Sequence, residues 1–191
     1  MTDEIRNRAL EAHNYRRSRL ANGFVKNKNK KNLPKASDML GMIYSCEMEN
    51  TAMASAKRCS IRQDPTLPPD VQENHYLVPK DSTSQTSEQA LITAIKHWWS
   101  QIRETGGIGH GVTFTSYNLG KPIEWFTRMA WATTQYVGCA ATPCGSNLWG
   151  VVCHYKPGGN ILGEHLYKKG DPCTACPPSY QCTERKLCSP A

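Results

Sequence analysis

Three stretches of this chain carry apolar residues at the three-to-four-residue spacing of a helix face. Two others carry dense β-branched and aromatic runs typical of buried strands. The first helix opens at Thr2-Asp3-Glu4-Ile5, where threonine can cap the N-terminus and acidic side chains suit its positive end. Ile5, Ala9, Ala12, His13, Arg16 and Leu20 share its inner face, and Asn22-Gly23 stops it. A second helix is expected from Ser45 to about Cys59, with Cys46, Ala52, Met53, Ala56 and Cys59 turned inward. The third has the stripe Ala90, Leu91, Ala94, Ile95, Trp98 and Ile102, a capping box at Thr86 and Gln89, and a stop at Gly106-Gly107. A fourth is expected over about 123–133. Val71 to Val78 reads as a short strand. Gln135–Ala141 and Leu148–Lys156 read as an antiparallel pair joined by the Thr142–Asn147 turn. Val151-Val152-Cys153-His154-Tyr155 is the core of the last strand, and Pro157-Gly158-Gly159-Asn160 ends it.

Helices and short strands that alternate without regular βαβ units predict an α+β fold, a three-layer α–β–α sandwich around a small antiparallel sheet. At 191 residues the chain suits one domain, residues 1–167, followed by a tail, 168–191. The tail holds four cysteines and is too short for a core, so disulfides must staple it. Nine cysteines in all point to an oxidising, extracellular compartment. No apolar run approaches the roughly 20 residues of a transmembrane helix. The start, Met1-Thr2-Asp3-Glu4, lacks the apolar middle of a signal peptide, so a secretory leader is expected to have been removed. Cys173-Thr174-Ala175-Cys176 stands alone, without the second pair of a zinc ribbon.

The net charge of +7 has visible sources. Arg6, Arg8, Arg16, Arg17 and Arg19 lie in the first helix, and Lys26, Lys28, Lys30, Lys31 and Lys35 follow it. Such a run suits a solvated loop, and it also suits heparan sulfate or anionic lipid. No nucleic-acid recognition motif accompanies it.

His13-Asn14-Tyr15-Arg16, Gln72-Glu73-Asn74, Glu124 to Trp131 and the stretch 150–161, in that order, resemble motifs of the CAP family of cysteine-rich secretory, antigen-5 and pathogenesis-related proteins, over about residues 5–167. His13-Asn14-Tyr15-Arg16 resembles the family's first-helix motif, and Gln72-Glu73-Asn74 its Gly-Glu-Asn element. Glu124 to Trp131 resembles a degraded copy of one signature, and 150–161 a good copy of the other, departing at Gly150 from the usual apolar residue. Cys173 onward resembles the hinge of the nematode secreted branch. The resemblance implies disulfides Cys46–Cys144, Cys139–Cys153, Cys173–Cys182 and Cys176–Cys188. It leaves Cys59 unpaired, with a partner that lay before Met1.

Members of the family often carry two histidines and two glutamates in a cleft, a set able to bind zinc. At the corresponding positions stand Gln63, Glu73, Gln101 and Trp125. Glutamine is a poor zinc ligand and no general base, and tryptophan only donates. No metal, no cofactor and no catalytic residue is therefore expected. Glu73 should bond to nearby backbone. His75, His97, His110, His154 and His165 show no metal-ligand spacing, and His13 reads as a satisfied core or cap residue. No Gly-x-Ser-x-Gly element is present.

Two features point to partners. Lys169-Gly170-Asp171 resembles tripeptides that occupy integrins, with hinge geometry as the competing explanation. Phe126, Ala130-Trp131 and Val137-Gly138-Cys139 resemble the hookworm branch that includes inhibitors of neutrophils and platelets. The resemblance implies a secreted, non-catalytic protein of a blood-feeding nematode, antagonising host adhesion through an integrin. Glycan and lipid remain open as further partners. A lipid or sterol carrier is the first alternative, with Trp99 and Trp125 exposed and Trp98 and Trp131 in the core. A degenerate hydrolase is the second.

Overall fold

The computed structural model describes all 191 residues, and their contacts divide them into two units. The first comprises residues 1–12, 42–97 and 136–158. It holds a four-stranded sheet in the order β1 (Ile43–Tyr44), β3 (Tyr136–Cys144), β4 (Leu148–Lys156) and β2 (Gln72–Pro79). β3, β4 and β2 run antiparallel, and β1 joins β3 in parallel. Residues Gly150 to Tyr155 are all buried, as expected of a continuous apolar run covered on both faces. β3 and β4 run on past the expected strand ends, which confines the connection to Gly145-Ser146-Asn147; Gly145 supplies the positive φ of 68°.

Helix α2 (Cys46–Ala56) lies on this sheet. Ser45 caps it through Oγ, which accepts from the Met48 amide at 3.2 Å. Ala52 and Ala56 pack on Ala140 and Val152, small side chains that let helix and strands approach closely. At Gly138 the approach is so close that any Cβ would collide with the backbone of Ser45, Met48 and Glu49. At the start of α1 (Asp3–Ala21), Thr2 Oγ1 accepts from the Ile5 amide. Arg6 then grips Glu49 with two 2.8 Å hydrogen bonds, and the Tyr44 hydroxyl donates to the same carboxylate at 2.6 Å. Helix α3 (Ser87–Glu104) begins with the expected capping box. The Thr86 amide donates to Gln89 Oε1 and the Gln89 amide to Thr86 Oγ1.

The disulfide at the far end of α2 differs from the expectation. The bond is Cys59–Cys144, with Cα atoms 5.7 Å apart, and Cys46 is a free, exposed thiol. The helix stops at Ala56 rather than near Cys59. Cys59 then takes a positive φ of 51° that turns the chain back toward β3. Cys46 sits in the first helical turn on the outer side, not on the inner stripe. The same bridge explains the departure at Gly150. A Cβ there would lie 2.7 Å from both Cys144 Sγ and the Ala56 carbonyl oxygen, so no side chain fits. The second disulfide, Cys139–Cys153, staples directly opposed residues of β3 and β4.

The second unit comprises residues 13–41, 98–135 and 159–191. Its core gathers Leu20, Leu33, Met39, Ile102, Phe114, Phe126 and Trp131 around helix α4 (Ile123–Ala130). The sequence reading placed Arg16 inside. The structure instead buries Arg17 completely, while Arg16 stays partly exposed. Arg17 Nε donates to Leu40 O, Nη1 to Met129 O and Trp131 O, and Nη2 to Ala132 O and Thr134 O, at 2.7–3.3 Å. Five N–H groups thus meet five carbonyls, the full donor capacity of a guanidinium. The chain end forms a hairpin of β5 (Tyr180–Cys182) and β6 (Cys188–Pro190), held by Cys173–Cys182 and Cys176–Cys188. Its Cys188 amide donates to Met39 O and its carbonyl accepts from Gly41 N, both at 2.8 Å.

Candidate functional site

In the first unit, two adjacent strands bring together a buried polar cluster. Glu73 on β2 faces His154 on β4 as a direct cross-strand pair. His154 Nε2 lies 2.8 Å from Glu73 Oε2, and the ion-pair side chains are almost wholly buried. The Ser55 hydroxyl of α2 donates to the same oxygen at 2.7 Å, and the Asp64 amide donates to Oε1 at 3.2 Å. His75, two residues along β2 and therefore on the same face, places Nδ1 3.3 Å from Oε1. Its Nε2 faces the Ile61 carbonyl at 2.8 Å. On the far side of His154, Nδ1 lies 2.7 Å from Thr51 Oγ1, whose hydroxyl also sits 3.1 Å from the Met48 carbonyl.

Burial alone pushes the Glu73 carboxyl upward, but His154, His75 and the Ser55 hydroxyl together outweigh it and hold it at about 2. The carboxylate is thus ionised and surrounded by donors. The Asp64 amide is the nearby backbone partner expected for Glu73, and the Ser55 hydroxyl adds a side-chain donor. The cross-strand histidine was not foreseen, because 81 residues separate the two partners. Hydroxyl, imidazole and carboxylate stand in the order of a nucleophilic relay. Thr51, however, lies mid-helix in α2, where the neighbouring amides serve the helix ladder and leave no pair of donors for an oxyanion. The cluster ties α2, β2 and β4 together.

Gln63 is exposed in the loop after α2. In the second unit, Gln101 is buried on α3 and donates through Nε2 to Glu104 at 3.4 Å, and Trp125 is half-buried on α4. Trp98 and Trp131 are core residues and Trp99 is half-buried, stacked at a tilt on Phe126. Lys169, Gly170 and Asp171 are exposed. The Gly170 amide donates to the Lys35 carbonyl, and Lys35 Nζ meets Asp171 Oδ1 at 3.1 Å, with the Asp171 side chain 77% exposed. His97 stacks on Tyr76, with centroids 4.2 Å apart.

Residues 10–155 match the model of the CAP, or cysteine-rich secretory protein, family. The chain belongs to this family. Among curated relatives, the Ancylostoma secreted protein of Ancylostoma caninum is 36% identical over 194 residues, covering 99% of this chain and 45% of that protein. Peptidase inhibitor 15 of Gallus gallus is 30% identical over 173 residues, covering 82% of this chain and 64% of that protein. The chain therefore spans about half to two thirds of the length of these relatives. Among solved structures, NaASP2 with Zn2+ superposes with a TM-score of 0.89 at 35% identity, covering 99% of this chain and 97% of that one. The Hookworm Platelet Inhibitor superposes with a TM-score of 0.70 at 27% identity, covering 98% and 91%. The α+β architecture read from the sequence is that of these CAP structures.

Zinc, present in the NaASP2 structure, is a poor fit to the residues of this CAP chain. Both oxygens of Glu73 are engaged by internal donors, two of its three companion positions are neutral amides, and Trp125 offers no lone pair. In the tail, sulfurs of Cys173, Cys176 and Cys188 come within 4.8 Å of one another, but all three are spent in disulfides and are not thiolates.

Proposed function

We propose that this CAP protein is a secreted, non-catalytic binding protein that antagonises adhesion of host platelets or leukocytes, with an integrin as its partner. The observation that carries the choice of binding over catalysis is the closure of Glu73. The one acidic position retained from the family set is ionised and buried, and both its oxygens already face internal donors, Oε2 those of Ser55 and His154 and Oε1 the Asp64 amide, with His75 Nδ1 3.3 Å away, which disfavours a proton transfer or a metal there. The partner class rests on likeness to the Hookworm Platelet Inhibitor. Lys169-Gly170-Asp171 is the candidate contact. Its backbone is anchored to Lys35 while its carboxylate reaches solvent. Engaging a receptor metal would require Asp171 to leave Lys35, and an exposed ion pair of this kind costs only about 0–1 kcal/mol to break.

The test is a panel of purified integrin ectodomains with magnesium present. Saturable binding supports the reading, and no binding at micromolar protein refutes it. Asp171→Ala is expected to weaken binding at least tenfold. Unchanged binding would assign the tripeptide to hinge geometry alone.

A further inference from the structure

The +7 of the whole chain conceals a segregation. The second unit carries 15 of the 23 lysines and arginines but 6 of the 16 acidic residues, a net of +9 against −2 for the first unit. Much of that excess sits on one hairpin. The Leu33 amide donates to Val25 O at 2.8 Å and the Asn27 amide to Lys31 O at 2.9 Å. Asn27 Oδ1 accepts from the amides of Asn29 and Lys31 and fixes the tip. Lys26, Lys28, Lys30 and Lys31 project from this frame, all exposed, and none is within 4.0 Å of a carboxylate. The lysine nearest a carboxylate in this segment is Lys35, beyond the hairpin.

A cleft opens on each side. One, of about 360 Å³, is lined by the cations Arg16, Arg19, Lys26 and Arg103 together with Phe24 and Trp99. The other, of about 350 Å³, is lined by Asn27, Lys28, Thr105 and Tyr117 over Gly106 and Gly107. No acidic residue lines either. Gly106, with φ 66°, lets the stem of Lys28 lie directly over the end of α3, where a Cβ would meet it at 3.1 Å. Lys121 places its ammonium 3.1 Å from the centroid of the Tyr117 ring. Phe24 and Tyr117 are 60% and 67% exposed, flat apolar faces set among cations.

We propose that the hairpin 25–33 and its two flanking clefts form a binding surface for a linear sulfated polysaccharide. Sulfates would meet Lys26, Lys28, Lys30 and Lys31, none of them paired with a carboxylate, and the arginines that line the first cleft. The apolar faces of sugar rings would rest on Phe24 and Tyr117, and the side-chain NH2 groups of Asn27 and Asn29 would donate to sulfate and hydroxyl oxygens. A chain-like ligand accounts for two separate clefts joined by one cationic turn, which a single small anion does not. Four disulfides suit an oxidising compartment, where sulfated glycans are the abundant linear polyanions. This surface does not include Asp171 and is independent of integrin binding.

The experiment measures affinity for a heparin decasaccharide as a function of sodium chloride. The triple variant Lys28→Ala, Lys30→Ala, Lys31→Ala is compared with a charge-matched triple on the first unit, Lys57→Ala, Arg62→Ala, Lys96→Ala. All six side chains are exposed, so circular dichroism should be unchanged. The hairpin triple should elute from heparin at lower salt, and its slope of log affinity against log salt should shrink by about 2–3, roughly 0.7–0.9 per lost contact. The first-unit triple should behave as wild type. Equal weakening in both triples overturns the proposal in favour of net charge. Equal affinity for desulfated heparin, for vesicles with 30% phosphatidylserine or for an oligothymidylate overturns it in favour of another anion.

Discussion

Neutralising the buried carboxylate at Glu73 should remove a defined part of the acid sensitivity of folding. The carboxyl moves from an ordinary 4.5 to about 2 in the folded chain because the donors around it outweigh its burial. A difference of that size corresponds to about 3 kcal/mol, at about 1.4 kcal/mol per tenfold change. The group is depressed on folding, so its contribution is fully present above pH 4.5 and is lost as pH falls toward 2. Glu73→Gln keeps the shape, and its amide can still accept from Ser55 and His154. The variant should be less stable than wild type at pH 6, by about 1–3 kcal/mol, because a charge-assisted bond to His154 becomes a neutral one. Between pH 5 and 2 the difference should close. Denaturant midpoints across that range, for both proteins, give the comparison. Glu49 and Asp81 are also held low, Glu49 chiefly by Arg6 and Asp81 by Thr83, partners that both proteins keep, so their contributions cancel. A stability gap that stays constant from pH 6 to 2 would refute the ionised, donor-saturated reading of Glu73.

Other substitutions test the frame. Cys46→Ser should leave the midpoint unchanged and abolish the single thiol titrated in the native protein. Cys59→Ser should cost about 2–5 kcal/mol by opening an 85-residue loop, and a destabilised Cys46→Ser would restore the Cys46–Cys144 pairing instead. Arg17→Lys keeps the charge but has three N–H groups for five carbonyls, so at least two buried acceptors lose a partner. A loss of about 2–4 kcal/mol in urea unfolding is expected, and a change under 0.5 kcal/mol would contradict the five-bond clamp. Gly150→Val should lower the melting temperature of the oxidised protein through its clash with Cys144 and Ala56, with a smaller effect in Cys59→Ser, Cys144→Ser.

What the sequence made legible was what short range decides. The Thr86–Gln89 box, the Gly23 stop, the buried run at 151–155 and the Cys139–Cys153 staple all lie within one element or one hairpin. The misreadings share a different cause. Arg16 and Arg17 differ by 100° around α1, and apolar spacing alone puts Arg16 on the inner stripe. Only the five carbonyls gathered from residues 40 and 129–134 make the inward position favourable for Arg17. The Cys59–Cys144 bond depends on where α2 ends, and helix ends are set by a few φ angles that periodicity does not report. His154 looked isolated because its partner is defined by strand register. Once β2 and β4 are aligned, Glu73 and His154 are neighbours by necessity.

The four positions of the CAP set carry different physical weight in this chain. Glu73 is bonded to α2 through Ser55 and to β4 through His154, and the Asp64 amide adds a bond from the loop between them, so its removal would leave buried donors without an acceptor. Gln63 is exposed and Trp125 keeps part of its surface in water, whereas Gln101 is buried. The bonds to Ser55, Asp64 and His154 give Glu73 a part in holding the fold. The features that no packing requirement explains lie elsewhere. Unpaired lysines on a fixed hairpin repel one another and gain nothing from the fold, and Asp171 is held out on an anchored turn with most of its side chain in solvent. Residues that cost the folded state something, or give it nothing, are the ones whose presence a binding partner would account for.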